Sequence, residues 1–406
     1  DPELYQLEKQ HIFGRNWIYM GHESQLVKPG DFITSFIGET PVIVARGEDN
    51  NIHVSFNSCI HRGVKVCRAD KGNAKRFVCP YHNWSYTVDG RLAAVPQERK
   101  VEGKLDKSTL GLKKVPRVET YRELIFACLD PEIEPVDEYL GDMRWYLDCM
   151  FDRFEDGVEV LGAPHKWLIK ANWKLPVENQ LGDVGHGPYL HGSIITADAP
   201  QVEELETHGR NVVPKPGHGV AVRLMPEGST LEQCMWGSDG FAAMDPEVNE
   251  YLLEKQRLVE ERLGKIRARI KPLTYSVYPN FSFLWPNLTL RQSHPKGPGA
   301  VEYWSWYIVD KGAPDHIKTK LESNYNFFFG PGGVLEQEDA EAWSQQYIGS
   351  VIDYADDTPY FYGLGLGEAK PHAELPGMVG SCFDEHYARA FYRRWQEEIQ
   401  QGEARA

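Results

Sequence analysis

The sequence predicts an α+β protein in two parts. A small antiparallel β domain is expected over residues 16–136. A larger domain follows over 137–406, joined by residues 1–15, with one antiparallel sheet flanked by helices. Three observations lead there. Between Trp17 and Pro135, short β-rich runs alternate with Gly, Asp and Asn turns. Between Pro246 and Val309, a charged helical stretch precedes four strand-like runs. At 406 residues the chain exceeds one ordinary domain and can bury a sizeable core.

The first part reads as strands at Phe32–Ile37, Pro41–Ala45 and His53–Phe56, each a β-branched or aromatic run. Phe77-Val-Cys79 and Trp84–Val88 follow, and Asp89-Gly90 is a strong hairpin turn. In the second part, leucines recur on one face of a charged helix from Pro246 to Ile270. Strands are expected at Leu273–Tyr278, Phe281–Trp285, Leu288–Ser293 and Val301–Val309, with Pro-Asn and Pro-Lys-Gly-Pro-Gly turns between them, so an antiparallel meander is expected. Helices return at Asp315–Phe328 and Phe383–Gln400.

Composition narrows the function. A formal net charge of −15 argues against a nucleic-acid partner, because polyanions repel one another. No apolar run is long enough for a membrane span and no signal peptide is evident, so no membrane association is expected. The seven cysteines show no disulfide spacing, and a reducing bacterial cytoplasm is the expected compartment. The chain opens on Asp1-Pro2 without an initiator methionine, so a short preceding piece is expected.

The most informative motif is Cys59-Ile-His61 followed, after seventeen residues, by Cys79-Pro-Tyr-His82. Each arm offers one thiolate and one imidazole from a short turn. Two sulfurs and two nitrogens suit a [2Fe–2S] cluster with cysteines on one iron and histidines on the other, the Rieske arrangement. A Cys₂His₂ zinc site uses the same ligand types, but zinc fingers pair Cys with Cys and His with His. Here each arm mixes them.

A second constellation lies in Asn172–His191, where His186 and His191 stand five apart. On an unbroken helix such residues diverge. Gly185, Gly187 and Pro188 break the helix and let both rings turn toward one metal. Two histidines from one segment with one distant carboxylate make the facial triad of non-haem Fe(II) oxygenases. Candidate carboxylates are Glu336, Glu338, Asp339 and Glu341, four acids in six residues. Composition alone does not choose among them, and acids in a first helical turn also favour the dipole.

These motifs together resemble the large (α) subunits of Rieske non-haem iron aromatic-ring-hydroxylating dioxygenases, the naphthalene and biphenyl group. The resemblance rests on Cys59-x-His61-Arg62-Gly63, Cys79-x-x-His82-x-Trp84, Ala171-Asn-Trp-Lys, Glu178-Asn179-x-x-x-Asp183-x-x-His186-x-x-x-x-His191 and Phe329-Gly-Pro-x-Gly with Glu336-x-x-Asp339, in that order along the whole chain. It implies a Rieske domain followed by a helix-grip catalytic domain. It implies Cys59, His61, Cys79 and His82 around the cluster, and His186, His191 and Asp339 on a mononuclear Fe(II). Asn179 would lie near the iron, and Asp183 would bridge the Rieske site of one subunit to the iron of its neighbour. Gln180, Gly187, Leu284, Phe329 and Leu335 would line a mainly apolar substrate pocket. Two departures stand out: Asn83 replaces a common glycine, and Gly185 a common tyrosine.

The activity so implied is cis-dihydroxylation of an aromatic small molecule with O2 and two electrons. A ferredoxin or reductase would supply the electrons, to a homotrimer of α with small β subunits (α3β3). Arg62, Lys65, Arg68, Lys71, Lys75 and Arg76 crowd the segment between the cluster arms. They read either as a solvated hairpin face or as a docking patch for an acidic donor. A Rieske monooxygenase or O-demethylase, or a dioxygenase of an aromatic carboxylate, would share both metal sites. A pure electron carrier would have no use for His186, His191 and Asp339. Arg291 is the cation that would pair with an acid substrate, unless it makes a structural contact, which is the reading preferred here.

Overall fold

The computed structural model describes residues 1–101, 105–192, 199–235, 245–284, 288–352 and 359–405. The chain divides into two compact units, Glu8–Tyr139 and Asp1–Leu7 with Leu140–Ala406. Residues 8–15, expected with the larger part, pack with the first unit. Ile12 and Phe13 are buried there, and Phe13 lies against Gly38, where an added Cβ would come within 3.2 Å of the phenylalanine.

The first unit is made of antiparallel strands: β1 (Ile18–His22), β2 (Asp31–Ile37), β3 (Thr40–Arg46), β4 (Ile52–Phe56), β5 (Lys71–Asn73), β6 (Arg76–Val78), β7 (Ser85–Thr87), β8 (Leu92–Ala94), β9 (Arg117–Tyr121) and β10 (Leu124–Cys128). They form sheets ordered β4-β3-β2-β5, β6-β7-β8 and β1-β10-β9. The expected strands at 32–37, 41–45 and 53–56 are β2, β3 and β4. The Asp89-Gly90 turn joins β7 to β8, with Gly90 at φ +88, a conformation that costs glycine no Cβ clash. Phe32, Phe77, Tyr86, Leu92 and Leu112 form a core that also buries Cys59 and Cys79. The two cluster-arm cysteines thus sit at the inner end of their loops.

The second unit is built on one nine-stranded sheet. Its strands are β11 (Val158–Ile169), β12 (Gly209–Val213), β13 (Gly219–Leu224), β14 (Ile270–Val277), β15 (Phe281–Leu284), β16 (Thr289–Pro295), β17 (Val301–Asp310), β18 (Lys370–Pro371) and β19 (Met378–Ser381). The order is β11-β17-β16-β15-β14-β13-β12-β19-β18, antiparallel throughout. The meander expected between 273 and 309 is its centre; Trp285 lies outside the described residues.

Helices α1 (Lys174–Gly182), α2 (Gly187–Leu190), α3 (Pro246–Leu263), α4 (Asp315–Phe329), α5 (Glu336–Ser350) and α6 (His386–Arg405) position what matters here. Helix α3 starts where the Asp245 carboxylate accepts the amides of Glu247 and Val248, with Pro246 in the first turn. It buries Val248, Leu252, Gln256 and Val259, one face at helical spacing. It ends at Leu263 and not at Ile270, because Gly264 turns the chain with φ +84 and Ile270 already begins β14. Among the described residues, no helix is long and apolar enough to cross a membrane.

Candidate metal centres

The two cluster arms are built alike. In the first, Cys59 N–H donates to Val64 O and Gly63 N–H to Cys59 O, at 2.9 and 2.8 Å. In the second, Cys79 N–H donates to Trp84 O and Asn83 N–H to Cys79 O, at 2.8 and 3.0 Å. Gly63 and Asn83 occupy the same place in the two loops, and both have positive φ, +74 and +59. The expected departure at Asn83 is thereby explained: asparagine is among the few side chains that tolerate this conformation. The Asn57 amide clamps the chain beyond the first arm, donating to Cys67 O and accepting Cys67 N–H.

This backbone buries both thiols and leaves both imidazoles at the outer end, with ring centroids 4.6 Å apart. His61 stacks on Trp84, the planes 4° from parallel. The Tyr86 hydroxyl accepts the Ile60 amide and lies 3.1 Å from Cys59 Sγ, placed to donate to it. His82 Nδ1 is buried without a hydrogen-bond partner among the described residues. A polar atom in that state is costly unless something else takes its lone pair. Two inner sulfurs and two outer nitrogens, one of them orphaned, fit a Rieske cluster.

The second centre gathers His186, His191 and Asp339, whose ligand atoms all lie within 4.8 Å of one another. Helix α1 ends at Gly182 and α2 begins at Gly187, so His186 and His191 flank a single short turn. Asp339 comes from the first turn of α5. Its Oδ1 is 3.3 Å from Nε2 of each histidine, yet makes no well-formed hydrogen bond among the described residues. Neighbouring ligands about 2.1 Å from an octahedral ion stand about 3 Å apart, so this convergence fits a divalent metal better than an ion-pair network. Burial alone would raise the Asp339 carboxyl; the imidazoles facing it hold it well below the usual range. Burial alone would lower both histidines. The carboxylates of Asp183 and Asp339 raise His186 to about 10, and Asp339 with Glu338 raises His191. A site that holds negative charge against two imidazoles is prepared for a cation.

The remaining expected residues surround this centre unevenly. Asn179 Nδ2 is 3.3 Å from His186 Nδ1, and Asp183 Oδ2 is 3.5 Å from the same nitrogen. Gln180 is buried; its amide donates to Asn179 Oδ1 and its carbonyl accepts the Thr274 hydroxyl. Among the described residues, a Cβ added at Gly187 would meet nothing within 4 Å. Leu335 is half-buried, and its carbonyl accepts the amides of Glu338 and Asp339. Phe329 is buried beneath the Arg291 guanidinium, 4.6 Å from its ring centroid. Leu284 is half-buried at the end of β15. Gly185 faces the Phe383 ring, which would stand 3.1 Å from an added Cβ, so an aromatic from elsewhere fills part of the space beside the loop.

Sequence reasoning missed the partners of three acids. Glu338 Oε2 lies 2.7 Å from His191 Nδ1. Glu336 is fully buried against Arg291. Glu178, half-buried, accepts hydrogen bonds from Tyr362 and Tyr392, and desolvation raises its carboxyl. Glu336 and Glu338, in a first helical turn, signalled only the dipole, Glu178 lies in mid-helix, and the partners of all three lie far away in sequence.

A β unit shaped for a Rieske cluster, with a sheet-and-helix unit presenting a His-His-Asp centre, defines a two-centre non-haem iron oxygenase. Residues 16–119 match the Rieske [2Fe-2S] domain, and residues 136–401 the ring hydroxylating alpha subunit catalytic domain. The chain belongs to the ring-hydroxylating oxygenase alpha subunits, and its cofactors are a Rieske [2Fe–2S] cluster and a mononuclear iron. It is 37% identical to a biphenyl dioxygenase subunit alpha of Metapseudomonas furukawaii, over 97% of this chain and 88% of that protein. It is 36% identical to the large oxygenase component of a Pseudomonas putida naphthalene 1,2-dioxygenase system, over 98% and 90%. A Rhodococcus naphthalene 1,2-dioxygenase structure bound to indole superposes with TM-score 0.87 at 33% identity, covering 98% of this chain and 92% of that one.

Proposed function

We propose that this oxygenase subunit cis-dihydroxylates a neutral arene of one to three rings. The carrying observation is Arg291: its guanidinium is 2.6 Å from Glu336 with neither side chain exposed. The cation that would receive an acid substrate is therefore committed. An apolar wall that includes Leu284, Phe329 and Leu335 leaves a substrate carboxylate unpaired, which is costly in a dry site.

His186, His191 and Asp339 would hold the mononuclear iron, and Cys59, Cys79, His61 and His82 would hold the cluster. When bound, the cluster supplies electrons singly and the iron supplies the centre at which dioxygen and arene react. Asp183, its side chain 40% exposed beside His186, can accept a hydrogen bond from a second protein surface, which suits a bridge between subunits. Gln180 and Asn179 form an amide pair between the pocket wall and His186. The overall reaction adds both atoms of O2, two electrons and two protons to the ring.

Arg62, Lys65, Arg68, Lys71, Lys75 and Arg76 are all exposed, which supports docking of an acidic ferredoxin beside the cluster. Assembly as an α trimer with small β subunits, in a bacterial cytoplasm, completes the reading. The test is turnover with ¹⁸O2 on neutral arenes and on benzoate. A cis-diol carrying two labelled oxygens from the neutral arene is expected. A singly labelled phenol, or coupled turnover of benzoate alone, would overturn it.

A further inference from the structure

Adjacent residues of one helical turn take the two nitrogens of His191. Asp339 Oδ1 lies 3.3 Å from Nε2, and Glu338 Oε2 lies 2.7 Å from Nδ1. His186 is held differently: its Nδ1 faces Asn179 at 3.3 Å and Asp183 at 3.5 Å. A 2.7 Å contact is the length of a charge-assisted hydrogen bond, whereas 3.5 Å marks a longer and weaker contact. Glu338 itself is fixed by its backbone, whose amide donates to Leu335 O at 3.1 Å. A helix dipole would be served by this carboxylate in any rotamer. Here it is aimed instead at a ring 147 residues earlier in the chain.

We propose that Glu338 is a positioning residue for the mononuclear centre. It accepts Nδ1–H of His191 and so selects the tautomer whose Nε2 lone pair faces Asp339. It also fixes the ring plane, making His191 the firmly held imidazole of the pair. Such outer carboxylates raise the basicity of a ligating histidine. The inference rests on the reading of His191 and Asp339 as iron ligands.

The test uses the full chain with Glu338→Ala and Glu338→Gln. Readouts are Fe(II) release to a ferrous chelator, Fe(II) affinity of the iron-depleted protein, and melting of that protein without mononuclear iron. Glu338→Ala is expected to weaken Fe(II) binding about 10- to 100-fold. Glu338→Gln, which keeps an acceptor oxygen without the charge, should lose less. Rieske absorbance and melting of the iron-depleted protein should stay unchanged in both. Wild-type Fe(II) affinity in Glu338→Ala would overturn the proposal. So would an equal drop in melting temperature for both variants, the mark of a role in helix stability alone. Asp339→Ala separates the two readings. If it too keeps its iron, the ligand assignment fails; if it loses iron while Glu338→Ala does not, only the role of Glu338 fails.

Discussion

Arg291 Nη2 and Glu336 Oε2 are 2.6 Å apart, joining β16 to the first turn of α5 with both side chains wholly buried. Removing one member leaves the other charge buried and alone, which costs about 3–5 kcal/mol. Arg291→Leu is therefore expected to lower stability by that order in chemical denaturation. Iron content should fall as well, because Asp339 sits one turn beyond Glu336. Replacing both, Arg291→Leu with Glu336→Leu, should recover much of the stability, since an apolar pair of similar volume is often neutral. A single variant as stable as wild type would mean the pair is not what holds α5.

The Tyr86 hydroxyl lies 3.1 Å from Cys59 Sγ, where it would withdraw charge from that sulfur once it ligates the cluster. Hydrogen bonds to cluster sulfurs favour the reduced state and raise the potential. Tyr86→Phe should keep the Rieske absorption and EPR signals while lowering the midpoint potential, on the order of tens of millivolts. Protein-film voltammetry measures this directly, and an unchanged potential would remove Tyr86 from the tuning of the cluster.

Asn83 and Gly63 occupy matching left-handed positions in the two arms. Asn83→Gly should therefore be nearly silent in cluster content. Asn83→Val places a β-branched side chain where the conformation costs roughly 1–2 kcal/mol. Lower cluster occupancy is expected on purification, read as the ratio of Rieske absorbance to protein. Equal occupancy in the two variants would contradict the conformational argument.

These cases also mark where the sequence was legible. Both arms, both histidines and the central meander could be read because their signals are local: ligand spacing, turn residues and alternation. Asp339 was singled out by resemblance, not by any property distinguishing it from its acidic neighbours. What separates Glu336, Glu338 and Asp339 is the direction each takes from one helical turn, toward Arg291, His191 and the metal centre. Their partners lie 45 and 147 residues away for the first two, and no periodicity encodes such pairings. The long edge strand β11 stayed hidden for another reason. It is irregularly paired between Leu161 and His165 and half-buried along most of its length, so it lacks the clean alternation that betrays a strand.

Asp183 stands at the end of α1, 3.5 Å from His186 Nδ1. Its partly exposed carboxylate can accept from His186 with one oxygen and from a second donor with the other, and an amide cannot do both. Asp183→Asn keeps the size, so both metal centres should fill: two irons in the cluster and one mononuclear. Loss of the charge removes the acceptor that supports a strongly donating imidazole. Turnover should consequently fall about 10–100-fold for the lost outer partner, with a further loss if electron transfer is broken. Steady-state rates alone would not separate poor donor docking from a broken link between centres. A single-turnover measurement with a chemically pre-reduced cluster does, because no donor is needed. Cluster oxidation and cis-diol formation at the wild-type rate in Asp183→Asn would exclude the bridging role. Slow cluster oxidation with all three irons retained places the defect between the two centres.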